Sequence, residues 1–177
     1  MNLNDDKYER KILIDLGADR RASTIRWFLK EYPIKNWTEI HAFEAQGFDD
    51  NVPHEIPENV TYHHNYIRMK KSNKKIVKNE EVVVVKFIDF LVNTTKINPN
   101  KDVVIVKMDI EGVEWPILEE LLKTDNLKLI DELFVEVHYH APSMSKFGWD
   151  VFLHTREEAL VLFQRLQKYG LCVHPWP

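Results

Sequence analysis

Cysteine is nearly absent from this chain: Cys172 is the only one in 177 residues. That excludes an internal disulfide and a zinc site built mainly of thiolates. Long apolar runs are missing too. The run VVVV at 82–85 stops at Lys86, and the polar start MNLNDDKYERK lacks the apolar stretch of a secretory signal. Neither segment is suited to crossing a membrane. Positive charge is not in excess, since 24 Lys+Arg face 28 Asp+Glu, for a net charge of −4 and a pI near 6.1. Such a balance carries no global footprint for nucleic acid. Internal repeats and low-complexity segments are lacking as well. What is present, 44% hydrophobic and 29% charged residues over 177 positions, suits a single folded domain with little room for a second. The expected protein is soluble and cytoplasmic, with neither a membrane span nor a nucleic-acid partner. Its length also suits one domain covalently joined to neighbours in a longer chain.

Strand and helix patterns alternate along the sequence. Residues 11–18 (KILIDLGA) form a short apolar run that includes Gly17, the mark of a buried strand opening into a turn. A helix is expected over 22–32, with Ile25, Phe28 and Leu29 at helical spacing and Pro33 just beyond. Further strands are expected at 38–44, 59–67, 103–109 and 130–138, and a closing strand at LCVHPWP. Residues 81–95 divide into a short strand and a helical turn around Ile88 to Val92. The two-proline stretch DDNVPHEIPEN has loop chemistry. The basic run RMKKSNKKIVK at 68–78 reads either as a solvated loop or hairpin tip or as an anion-steering rim. Pro116 stands near the start of a helix through Leu122, where proline is tolerated. Residues 156–169 make an amphipathic helix with Ala159, Leu160, Leu162, Phe163 and Leu166 inward and Gly170 as its stop. This order predicts an α/β domain, a three-layer α/β/α sandwich around a mostly parallel sheet. Such sheets place ligands at the C-terminal ends of their strands.

Those ends carry acids. The first strand closes on Asp15, Gly17 and Asp19, the second on Glu44, the fourth on Asp109 with Glu111 behind it, and the fifth on Glu136 and His138. A glycine after the first strand lets backbone approach a ligand, and the next helix N-terminus offers free N–H groups. An acid ending the second strand is placed to accept both hydroxyls of a ribose. Asp19 and Ser23 serve equally well as helix caps. Glu111 and Glu114 also suit the dipole of the following helix, the preferred reading for Glu114.

Several segments together resemble a known family. ILIDLGADRRAST at 12–24, with AFEA at 42–45, is similar to the first two motifs of class I S-adenosylmethionine-dependent methyltransferases. KMDIEGVEWPILEELL at 107–122 and DELFVEVHYH at 131–140 resemble the later motifs of the FkbM-type members. The resemblance implies a Rossmann-like methyltransferase fold with S-adenosylmethionine as cofactor. It further implies that Asp15, Gly17, Asp19 and Ser23 surround the methionine portion, that Glu44 takes the ribose, that Asn65 lies near the adenine, and that Asp109 faces cofactor and acceptor. Where the family usually has a second glycine, this chain has Arg20-Arg21. Two cations there either pair with the cofactor carboxylate or with Asp15 and Asp19, or they obstruct the site.

FkbM-type enzymes are associated with O-methylation, so the resemblance implies a hydroxyl acceptor, a small molecule or a glycan. A sugar hydroxyl gives up its proton only to a positioned base or beside a metal. Asp109, Glu136 and His138 supply either: a magnesium or manganese site of two carboxylates and an imidazole, or His138 as general base. His140, His63 and His64 read as loop or surface histidines. Trp115, Tyr139, Phe147 and Trp149 read either as core aromatics or as a platform for a sugar face. The alternative to an O-methyltransferase is a non-catalytic binding domain with a degenerate cofactor loop.

Overall fold

The structure is a computed structural model that describes residues 8–19, 21–44, 59–63, 65–68, 75–77 and 80–176, with 65–68, 75–77 and 80–85 described as backbone. Along the first strand, Arg10–Leu16 (β1), Ile12, Ile14 and Leu16 enter one core and Leu13 the other. The two-residue period of an extended chain requires that split. Helix α1 (Ser23–Glu31) buries Ile25 and Phe28 and ends where Tyr32 turns extended before Pro33. There follow β2 (Glu39–Phe43), β3 (Val60–His63), β4 (Asn65–Arg68), β5 (Lys75–Val77) and β6 (Glu80–Lys86). A helical turn, α2 (Phe87–Asp89), continues as a π-helical turn over Phe90–Thr94 into β7 (Asp102–Met108). The chain closes through α3 (Glu114–Lys123), a 3-10 turn, β8 (Glu132–Val135), two further 3-10 turns, α4 (Arg156–Tyr169) and β9 (Cys172–Pro175).

Six strands form one sheet in the order β3-β2-β1-β7-β8-β9, and all five pairings are parallel. The chain proceeds outward from β1 in one direction and then from β7 in the other, so β1 and β7 flank the switch point. Right-handed crossovers place helices moving in opposite directions on opposite faces. Accordingly α1 covers Leu13, Ile40, Ala42, Val103 and Ile105 on one face. Residues of α2, α3 and α4 cover Ile12, Ile14, Val104, Val106 and Leu133 on the other. This is the three-layer α/β/α sandwich expected from the sequence.

Local differences have physical causes. The expected strand 59–67 is two strands: β3 pairs with β2, whereas β4 belongs to a separate sheet, β4-β6-β5. A continuous β-prone pattern does not say which neighbour each half will find. The expected strand 130–138 is regular only over Glu132–Val135, leaving Glu136 and His138 in the following loop. Leu160, expected inward, is exposed, while Ala159, Leu162 and Leu166 are buried. The capping box of Thr155 and Glu158 fixes the start of α4, and Gly170 at φ 104 ends it. Within the basic run, β5 pairs antiparallel with β6, and residues 69–74 and 78 lie outside the described residues. Among the described residues, no helix is long and apolar enough to cross a membrane.

Candidate active site at the strand ends

Register sets the first layer of the site. Asp15 on β1 lies directly beside Lys107 on β7 and Ala42 on β2. The Lys107 ammonium donates to the Gly17 carbonyl at 2.5 Å and lies 3.4 Å from Asp15 and 3.5 Å from Asp109. Asp15 is completely buried, and neither of its oxygens has a hydrogen-bond partner among the described residues. Burial raises its pKa to about 6 despite the opposing pull of Lys107. Gly17, at φ 82, is dictated by packing: a Cβ there would stand 1.8 Å from the Asp109 carbonyl oxygen. The close backbone approach expected of this glycine is thus made by the neighbouring strand end.

The loop after β1 is arranged around Asp19, itself at φ 53. Its carboxylate accepts the N–H groups of Arg21 and Ser23 and the Ser23 hydroxyl. The N–H groups of Gly17 and Ala18 both donate to the Phe43 carbonyl. Asp19 therefore holds the chain at the entry to α1, although the N-cap position itself is Ala22 and carries no side-chain cap. Arg20 lies outside the described residues. Glu44 follows β2 at the same rim, half-buried, its N–H donating to His63. Asn65 opens β4 in the second sheet, and its side chain lies outside the described residues.

The second layer gathers around His138. This imidazole is buried, with Nδ1 3.1 Å from Oε1 of Glu114, which is fully buried at the first position of α3. The same oxygen accepts the Ile110 N–H at 2.7 Å. On its other side, Nε2 lies 3.6 Å from Glu111 and 3.9 Å from Asp109. Burial lowers the His138 pKa, but the Glu114 hydrogen bond and the charges of Glu111 and Glu136 outweigh it, for a net rise. Glu136 is half-buried nearby, its carboxyl pushed up by burial first and then by Asp109. Two backbone features aim the acids: Glu111 takes φ 55, and Gly112 takes φ 91 where a Cβ would meet the Phe152 ring at 2.8 Å.

Glu114 stands in the first turn of α3, where the sequence reading placed it, and its surroundings add a second role. An acid in the first turn of a helix ordinarily faces solvent, whereas this one is enclosed and holds a histidine. The metal-capable group is accordingly Asp109, Glu114 and His138, with ligand atoms within 4.8 Å of one another, and Glu136 is outside it. His140 is exposed as expected. His63 is not a loop residue: it stacks on Phe43 at 4.2 Å, lies 3.2 Å from His41, and is held down to about 4 by burial and His41. His64 lies outside the described residues. The aromatics divide. Trp115 is buried and donates its indole N–H to the His138 carbonyl at 2.6 Å, Phe147 is exposed, and Trp149 lies half-buried with its ring 5.1 Å from His138.

Acids and one imidazole at the switch point of a parallel α/β sheet suit a cationic nucleoside ligand, yet many families share that arrangement. Comparison with known proteins decides among them. The family described as a methyltransferase domain matches residues 27–170. This chain belongs to that methyltransferase family. A human protein, "Probable methyltransferase-like protein 24", is 39% identical over 46 residues, which are 26% of this chain and 13% of the human protein. The match therefore spans about an eighth of that relative's length. No solved structure matches.

Membership implies S-adenosylmethionine as the cofactor, and the residues of this methyltransferase domain fit such a group. The buried Asp15 carboxylate without hydrogen-bond partners, and Asp109 beside it, form an acidic end suited to a sulfonium cation. Glu44 stands where a ribose would be held in this topology.

Proposed function

We propose that the chain is an S-adenosylmethionine-dependent O-methyltransferase of the FkbM type, acting on a hydroxyl of a sugar or glycan. The observation that carries this reading is the buried Glu114–His138 pair facing the strand-end rim. When bound, the cofactor supplies an electrophilic methyl group. Asp15 and Asp109 complement its positive charge, Glu44 accepts its ribose hydroxyls, and Asn65 lies towards its adenine. With Nδ1–H donated to Glu114, His138 presents Nε2 as the base that takes the acceptor's proton. Glu114 holds the ring and stabilises the imidazolium that forms. Asp109 and Glu111, facing Nε2, favour that cation further. Trp149, beside His138, offers a face on which a sugar can stack.

The same rim suits a magnesium or manganese ion held by Asp109 and His138, with Glu114 completing the set. Such an ion would lower the pKa of the acceptor hydroxyl. Chelation followed by magnesium add-back separates the uses: activity that survives the chelator leaves His138 to take the proton unaided, and activity restored only by the metal means that an ion acidifies the hydroxyl, whose proton then leaves to solvent.

A second reading, a non-catalytic binding domain, is favoured by the first loop, where Asp19 and Phe43 occupy four backbone N–H groups that a ligand would otherwise meet. Calorimetric titration with S-adenosylhomocysteine, followed by methyl transfer to a panel of glycosides, distinguishes them. Saturable one-to-one binding together with turnover supports the enzyme. Absent binding sinks it, and binding without transfer to any hydroxyl acceptor establishes the binding domain.

A further inference from the structure

We infer that the chain carries a second metal site, independent of methyl transfer: a zinc-type ion held by Glu132, Cys172 and His174 at the edge of the sheet. Glu132 opens β8, and Cys172 and His174 are two apart on β9. The parallel register places Glu132 beside Cys172 and Phe134 beside His174, so the three donors share the face covered by α1. They lie at the early ends of their strands, away from the rim that holds Asp109 and His138.

Three donor atoms converge there. His174 Nε2 is 2.6 Å from Glu132 Oε1 and 3.4 Å from Cys172 Sγ, and Sγ is 3.9 Å from the same Oε1. Around tetrahedral zinc with ordinary bond lengths, these separations become about 3.4, 3.6 and 3.6 Å. Two edges thus need changes of a few tenths of an ångström. The third must open by roughly 0.8 Å, a rotation within reach of a glutamate side chain. One imidazole, one thiolate and one carboxylate form a borderline donor set that favours zinc over magnesium or calcium.

The supports behind the ligands are already in place. Tyr32 donates its hydroxyl to Glu132 Oε2, leaving Oε1 to face the other donors. The His174 ring stacks on Phe134 at 4.7 Å and 20°, which fixes its plane. Partners of this kind orient metal ligands and raise their affinity. Cys172 is exposed, giving an ion a way in and leaving a fourth position for water. Binding converts the Cys172 thiol to thiolate and releases its proton to solvent. Because two ligands come from the terminal strand β9 and one from β8, the ion ties the end of the sheet to its neighbour.

The test is cobalt(II) titration of the whole chain, read by the thiolate-to-cobalt charge-transfer band, with zinc competition and thermal unfolding in parallel. The expected result is a band that saturates at one equivalent, is displaced by zinc, and disappears in Cys172→Ser. Affinity should fall at least about 100-fold in His174→Ala and about tenfold in Tyr32→Phe. Zinc should raise the Tm of the wild type and not that of Cys172→Ser. His138→Ala should leave the band unchanged, which separates this site from the strand-end cluster. The proposal is overturned if the wild type shows no band, or if the band persists at wild-type affinity in both His174→Ala and Glu132→Gln.

Discussion

At the early ends of the central strands, Arg10 donates to both oxygens of Asp102, to Glu39, and to the carbonyls of Thr95 and Lys96. Asp131 nearby accepts the Val104 N–H, and Lys101 pairs with Glu9. At the late ends of the same strands, Asp15, Asp109, Glu111, Glu114 and Glu136 gather around Lys107 and His138, and buried oxygens of Asp15 and Glu114 have no hydrogen-bond partner among the described residues. Both ends bury carboxylates. Only one end satisfies them. Asp15 has only Lys107, 3.4 Å away, to offset its burial, and Glu114 satisfies one oxygen of two, so the charge at the switch point is the less completely compensated. The early end holds the sheet together, and the late end is the less completely paired of the two.

Four substitutions break or sharpen that contrast. The largest effect is expected from His138→Ala, which removes the proposed base: kcat for methyl transfer should fall roughly 10³-fold, about 4 kcal/mol of barrier. S-adenosylhomocysteine affinity by calorimetry should stay within about twofold, because the base faces the acceptor. Since a base must be neutral, wild-type kcat should rise with pH through a value above the usual histidine pKa of about 6.5. Glu114→Gln, which withdraws the carboxylate that raises His138, should move that limb to lower pH.

Arg10→Ala should do the reverse at the other end. It strands Asp102, a buried acid, and is expected to lower stability by about 3 kcal/mol in urea unfolding. Cofactor-product affinity should be unchanged. A comparable loss of affinity would show that the two ends are not separable.

Smallest is the pH response of Asp15. Its folded pKa of about 6 exceeds the ordinary carboxyl value of 3.8, so the folded state holds this proton more tightly than the unfolded chain. The resulting stabilisation is complete below about pH 4 and is lost as pH rises through 6, a change of at most about 3 kcal/mol. Asp15→Asn should flatten the stability profile in that window. An unaltered profile would mean that Lys107 satisfies Asp15 fully.

Much of this was legible from local pattern. The β-branched run of β7 could only be a strand covered on both faces, and Gly17 and Pro33 mark a turn and a helix end through their own backbone limits. Asp109 and His138 were nameable as site residues because parallel α/β topology brings strand ends to one rim. The burial of Glu114 against His138 was not legible because it depends on how α3 packs against the loop after β8. The only signal was its spacing behind Asp109 and Glu111. Lys107 went unremarked for a similar reason: a lysine amid valines is unremarkable until the register places Asp15 beside it.

The sequence by itself determined the layer order, the acidic rim and the family resemblance, since these follow from hydrophobic period, turn residues and short motifs that act over a few positions. Tertiary structure alone decided which acids are buried, that Glu114 holds His138, that Gly17 is forced by the Asp109 carbonyl, and that Glu132 meets Cys172 and His174 across two strands. These are facts of register and crossover. They bring together residues 24, 40 and 92 positions apart, and the energies of burial and pairing depend on those distances in space rather than along the chain.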